Sequence, residues 1–182
     1  ERTDRSERHV SYLIQEGART KLNSIRFDGN QAFSQDELLS HFMERASSQI
    51  QHDYFVESDF EEAVEYLIEW VKSRGFLTAR LIGISKQAED RGRLINVVVF
   101  IYEGELTRVK SAKIGGLSVF TRSEILQSLS VKEGEPLNLF AFNEGMEALK
   151  TKYRNRGYLS FSIRNENEEN VIEYSDKNLS AA

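Results

Sequence analysis

The sequence predicts an α+β chain in which a β-α-α-β-β module is written twice, each copy a three-stranded mixed sheet with two helices on one face. Three observations predict it: an internal repeat, two helix-start signatures at matching places, and strand-like alternation on either side of them.

The repeat comes first. Ile14-Gln15-Glu16-Gly17 returns as Ile101-Tyr102-Glu103-Gly104, an offset of 87 positions. The same offset carries Gly29 onto Gly116, Phe33 onto Phe120, Ser34 onto Thr121, Glu37 onto Glu124 and Leu39 onto Leu126. Further along the offset falls to 82, where Phe60 matches Phe142, Leu67 matches Leu149, and Arg74-Gly75-Phe76-Leu77 matches Arg156-Gly157-Tyr158-Leu159. A deletion of five residues between aligned blocks belongs in a loop, where length changes are tolerated. The repeat divides the chain into residues 1–17, 18–104 and 105–182. Within the first stretch, His9 to Gly17 reads as the closing strand of a preceding unit. The third stretch is expected to stop short of the end of its last strand, and the parent protein to hold at least three units.

Each element then has its own cause. Leu22-Asn23-Ser24-Ile25-Arg26-Phe27 alternates as a half-buried strand, and Asp28-Gly29-Asn30 is turn chemistry. Ser34-Gln35-Asp36-Glu37 and Thr121-Arg122-Ser123-Glu124 are capping boxes, which satisfy the unpaired N–H groups at a helix start. Leu38, Leu39 and Phe42 are expected on the buried face of the first helix. Asp59 with Glu62 marks the start of the second, whose stripe is Phe60, Val64, Leu67, Ile68 and Val71. Lys72, Arg74 and Gly75 end it. In the second copy, Phe142, Met146, Leu149 and Tyr153 repeat the stripe and Gly157 the stop. Leu77 to Leu81 alternates as an edge strand would. Leu94 to Ile101 is almost continuously apolar, as expected of a strand in mid-sheet, and Glu89-Asp90-Arg91-Gly92 forms the turn between them.

Composition narrows the function. The balance of 24 Lys+Arg against 29 Asp+Glu, net −5, argues against a general nucleic-acid binder. With no cysteine, disulfides, thiolate chemistry and cysteine zinc sites are excluded. No apolar run reaches 18 residues, and the start at Glu1-Arg2-Thr3-Asp4 reads as a processed or excised piece. His9, His41 and His52 share no metal-ligand spacing and are expected in edges and loops. Glu62, Glu65 and Glu69 fall on the solvated face of their helix, and Trp70 and Phe76 belong to a core. No nucleophile motif, catalytic triad or phosphate loop is present, so no enzyme and no cofactor is expected.

The order of these motifs resembles the POTRA domains of outer-membrane β-barrel assembly proteins. The residues that carry it are Gly29-Asn30, Phe33-Ser34 with Glu37-Leu38, Trp70 with Gly75-Phe76, and Glu103-Gly104. In the second copy they are Gly115-Gly116, Phe120-Thr121 with Glu124-Ile125, Tyr153 with Gly157-Tyr158, and Lys132-Glu133-Gly134-Glu135-Pro136 between the helices. The resemblance implies a periplasmic arm of an outer-membrane protein of BamA type in the Omp85 superfamily. Its implied partners are unfolded outer-membrane protein precursors, accessory lipoproteins of the assembly complex and the arm's own C-terminal membrane β-barrel. The implied contact is β-augmentation on the strand after the second helix, at Thr78, Ala79, Arg80, Leu81 and Ile82 (extending to Ile84) and at Ser160, Phe161, Ser162, Ile163 and Arg164. Glu103, Gly104 and Glu105 are expected to hinge the two units. The alternatives are the arm of a TamA-like or two-partner-secretion transporter and, more distantly, a KH-like RNA-binding module. The last needs a GxxG loop between its helices, and neither unit has one.

Overall fold

The computed structural model of the chain describes residues 10–14, 16, 19–116, 119–164, 172, 174, 175, 180 and 181. The closing strand expected at His9 to Gly17 lies partly outside them, and its described residues belong to no strand or helix.

The first unit runs β1 (Lys21–Asp28), α1 (Gln35–Arg45), α2 (Ser48–Gln51), α3 (Glu57–Ser73), β2 (Arg80–Glu89) and β3 (Leu94–Tyr102). β3 lies between β1, to which it is parallel, and β2, to which it is antiparallel. That agrees with its apolar sequence. Its alternate residues Ile95, Val97, Val99 and Ile101 are buried under the helices. From α1 and α3 come Leu38, Phe42, Phe60, Ala63, Val64, Leu67 and Val71, each at most 1% exposed. Burying each of the larger of these contributes about 1.5–3 kcal/mol.

Three details depart from the sequence reading. Leu39 is 37% exposed and not part of the core; the 3.6-residue turn puts Leu38 and Phe42 on one face and rotates Leu39 off it. α3 starts at Glu57, not Asp59, and its cap residue Val56 makes no side-chain bond; Glu57 and Asp59 complement the helix dipole instead. α2 was not foreseen. It buries Ile50 in the core, and the Gln51 amide bonds the carbonyls of Met43 and Ala46 at the end of α1. This connector is where the five-residue difference between the copies falls.

The second unit contains β4 (Arg108–Val109), α4 (Arg122–Ser128), α5 (Leu139–Arg154), β5 (Tyr174–Ser175) and β6 (Ser180–Ala181), with β6 again between the parallel β4 and antiparallel β5. α4 and α5 meet at Gly145, where an added Cβ would press on the Ser128 carbonyl and lie 2.7 Å from Leu129 Cα. The equivalent in the first unit is the buried Ala63.

Backbone contacts also repeat. The Phe55 N–H donates to Thr20 O and the Leu22 N–H to Asp53 O; in the second unit the Leu137 N–H donates to Thr107 O and the Val109 N–H to Glu135 O. The units meet where the Thr107 N–H donates to Gly75 O at 2.8 Å and Leu77 packs with Val109 and Leu137.

Candidate peptide-docking edge

β2 is an outer strand along all ten of its residues. Its inner side pairs with β3 from Arg80↔Tyr102 to Glu89↔Leu94. Among the described residues, no backbone group pairs with its outer side. Ile84 turns towards the core, while Leu81 and Ile82 are 37% and 59% exposed. The register slips between Leu81 and Gly83, leaving Ile82 in a bulge that adds twist near the start of the strand. Lys86 sits on this strand, ion-paired with Glu57 and 6.0 Å from the Phe55 ring.

The residues named from sequence divide three ways. Arg80, Leu81 and Ile82 lie in β2. Thr78 and Ala79 do not, because the Ala79 N–H closes a turn onto Phe76 O and buries the Ala79 methyl. The strand instead continues through Ser85–Glu89, past the expected end, where the polar run Ser85-Lys86-Gln87 masked it. Ser160, Phe161, Ser162, Ile163 and Arg164 form no strand at all. The Phe161 N–H donates to Tyr158 O, and the Phe161 ring stacks 3.9 Å from Tyr153, which draws this segment into the second core as a turn. The outer strand of that sheet is β5.

The opposite edge is covered near both ends. At its start, β1 is covered by Asp53 and Tyr54 through the Leu22 N–H bond and the Lys21↔Tyr54 bridge. Towards its end, the Gln35 side chain takes both backbone groups of Phe27: its Oε1 accepts from Phe27 N at 2.9 Å and its Nε2 donates to Phe27 O. A side-chain amide thus occupies the place of a neighbouring strand. In the second unit, charged side chains take both backbone groups of Ala112. Glu133 accepts from the Ala112 N–H at 3.2 Å, Arg122 donates to Ala112 O at 2.7 Å, and the two side chains pair at 2.8 Å. These bonds hold the Glu133 carboxyl below the ordinary glutamate range, the Ala112 N–H being the larger cause and Arg122 the next. Arg122 stands 87 positions after Gln35, but Ala112, which it meets, lies beyond β4 and corresponds to Ile25, not to Phe27.

Glu103, Gly104 and Glu105, expected to hinge the units, lie between β3 and β4 in no strand or helix. Glu103 is only 4% exposed; its carboxylate accepts from the N–H groups of Gln31 at 2.9 Å, Ala32 at 2.7 Å and, weakly, Phe33 at 3.4 Å. It braces the turn after β1 from within its own unit. Beside it Gly29 (φ +90) lies so close to Ile101 O that no Cβ fits. Gly104 (φ +78) packs against Thr78, and Glu105 is exposed. Contact between the units falls instead on Gly75, where an added Cβ would lie 2.8 Å from Pro136 Cβ and 2.9 Å from Leu106 Cδ1.

Both capping boxes form. Ser34 and Thr121 accept from the N–H of Glu37 and Glu124, whose carboxylates accept in return from the cap N–H and hydroxyl. These return bonds, the backbone one foremost, lower the carboxyl pKa of both glutamates. His41 is not in a loop: it lies in α1, its ring stacked 3.8 Å from Trp70 and its Nδ1 3.0 Å from Glu44. Phe33 packs 4.8 Å from the same indole. Glu62, Glu65 and Glu69 are exposed. Among the described residues, no three His, Asp or Glu gather as metal ligands would, and no helix is long and apolar enough to cross a membrane.

The POTRA family (surface antigen variable number repeat) matches the chain twice, over residues 20–104 and 107–180. A protein of Treponema pallidum (strain Nichols), named "Putative outer membrane protein assembly factor", is 28% identical over 168 residues; they make up 90% of this chain and 20% of that protein. The chain therefore spans about a fifth of that relative's length. The crystal structure of Haemophilus influenzae BamA POTRA3-5 superposes with a TM-score of 0.58 at 22% identity, over 93% of this chain and 66% of that one. BamA from Haemophilus ducreyi lacking POTRA domains 1-3 gives 0.55 at 13%, over 88% and 28%. At these identities the two structures bear on the fold alone. With two copies of one module matched across nearly all its length, the chain belongs to the POTRA family.

Proposed function

We propose that this tandem pair is a periplasmic, non-enzymatic part of an outer-membrane β-barrel assembly factor, and that it receives unfolded barrel precursors by β-augmentation on the outer edge of β2. One observation carries this reading. In the first unit the Gln35 side chain takes both backbone groups of Phe27 in β1 and Asp53 O accepts from the Leu22 N–H, while β2 keeps an outer side of ten residues with which no described backbone group pairs. An unpaired edge is an aggregation hazard that folds ordinarily blunt. Here one edge is blunted and the other is kept, which suits a strand receiver. Main-chain pairing accepts many client sequences, and barrel precursors are made of strands. The relative's name supports the assembly role. Accessory lipoproteins and a C-terminal barrel of the same polypeptide are the further partners of this reading.

The test is a proline series. Arg80→Pro and Ser85→Pro remove donors from β2, and Ile25→Pro does so from β1. For each variant that keeps the wild-type far-UV circular dichroism, the affinity for a synthetic strand of an outer-membrane barrel is measured. Weakening by at least one folded β2 variant, with the β1 variant unchanged, supports the edge. Unchanged affinity in every folded β2 variant refutes it.

A further inference from the structure

Gly83 is a glycine that the first unit does not itself require. It is the fourth residue of β2, directly after the bulge at Ile82. A bulge that demands glycine holds it in the left-handed region, and Gly83 is not among the residues of positive φ. An added Cβ would meet nothing within 4 Å among the described residues. Valine would therefore fit here and suit a strand better. A glycine kept inside a strand marks a place where another chain comes close. The gap has one wall. Gly83 pairs with Phe100 of β3, whose neighbours Val99 and Ile101 are buried under the helices. Phe100 and Gly83 thus share the opposite face of the sheet, where the ring is 37% exposed. Next on that face stands the Arg80 guanidinium, 4.1 Å from the Tyr102 ring and paired with no carboxylate among the described residues.

We infer that Gly83 and Phe100 form a side-chain subsite beside the β2 edge, which takes an aromatic residue of a docked strand with a carboxylate near it. The inference rests on the reading that strands dock on β2. A strand added to the outer side of β2 lies about 4.8 Å from it, with every second side chain on the face that Gly83 and Phe100 share. The residue opposite Gly83 then has no side chain between itself and Phe100. A Phe, Tyr or Trp ring there reaches across the glycine and packs on the Phe100 ring, as aromatic side chains do across edge glycines in sheets. A short side chain leaves both the glycine backbone and the ring wet. Further along the same face Arg80 favours a carboxylate on the incoming strand and disfavours a cation. Barrel precursors supply such strands, because their spans carry aromatic girdles at both ends. Main-chain pairing along β2 accepts any strand, and the Gly83 notch ranks those it accepts.

Three peptides test this, each a threonine-rich strand of about ten residues. The first carries Phe at its centre and Glu two residues away, the second has Ala for the Phe, and the third has Lys for the Glu. Their affinities for this chain are measured by calorimetry at low salt. The Phe peptide is expected to bind about three- to tenfold tighter than the Ala peptide, and the Lys peptide more weakly than its Glu parent. Gly83→Val fills the notch: it should raise the urea midpoint of the first unit while bringing the Phe and Ala peptides to equal affinity. Phe100→Ala removes the wall without touching β2 and should also equalise them. Equal binding of the Phe and Ala peptides to wild type, a preference that survives both variants, or a Lys peptide as tight as its parent overturns the inference and leaves docking on β2 standing. Binding by none of the three removes the docking reading, and the inference with it.

Discussion

Replacing Glu103 by alanine removes the acceptor for three backbone N–H groups in the turn after β1, two of them at 2.7 and 2.9 Å. A hydrogen bond to a charged group contributes about 1.5–3 kcal/mol, and the third contact, at 3.4 Å, adds little. Gln31 and Ala32 are themselves exposed, so water recovers part of the loss. The expected destabilisation of the first unit is about 2–4 kcal/mol. At about 4–8 °C per kcal/mol for a domain of this size, its melting temperature should fall by about 8 °C or more. The single tryptophan, Trp70, lies in the first unit, so urea unfolding followed by its fluorescence reads that unit, while far-UV circular dichroism reads both. Glu103→Gln, which keeps one acceptor oxygen, should fall between wild type and alanine. An alanine variant whose midpoint moves by less than about 0.5 kcal/mol would refute the brace. It would return Glu103 to the hinge role, in which orientation changes and stability does not.

Three other outcomes are expected. Because Glu37 and Glu124 titrate below the ordinary glutamate value in the folded chain, they contribute stability above the unfolded pKa of about 4.3, and that contribution is lost as pH falls through their native values. Urea midpoints measured from pH 6 down to about 3 should therefore drop less steeply in Glu37→Gln than in wild type. Gly75→Ala combines left-handed strain of about 1–2 kcal/mol with a clash on Pro136, so residual dipolar couplings should show the two units losing their fixed alignment while each stays folded. Gln35→Ala unplugs Phe27, and light scattering should show concentration-dependent association that wild type lacks.

Much of the fold was legible because its signals are local. A capping box needs only Ser34 and Glu37, or Thr121 and Glu124, and a helix stripe needs only a period. The mid-sheet place of β3 followed from its unbroken apolar run. What stayed hidden depends on distant partners. Leu77 alternates like a strand residue, yet the second unit draws it into the joint, so β2 starts at Arg80. Ser160–Arg164 carries the same alternation, but the stacking of Phe161 on Tyr153 makes a turn of it. The repeat pointed to Glu103 without its role, because nothing in a sequence says that a glutamate beside a glycine will turn inward to accept from residues 70 positions earlier. Gln35 looked like an ordinary first-turn residue. Its plugging of β1 shows only once the strand edge lies beside it.

The claim that β2, and not β1, offers a docking edge is tested most directly by intermolecular backbone NOEs between the isotope-labelled chain and an unlabelled strand from an outer-membrane barrel. The account predicts cross-strand contacts running in register along Arg80–Glu89, with none to β1. Shifts confined to helix surfaces at saturating peptide, without a backbone contact to β2, would contradict it.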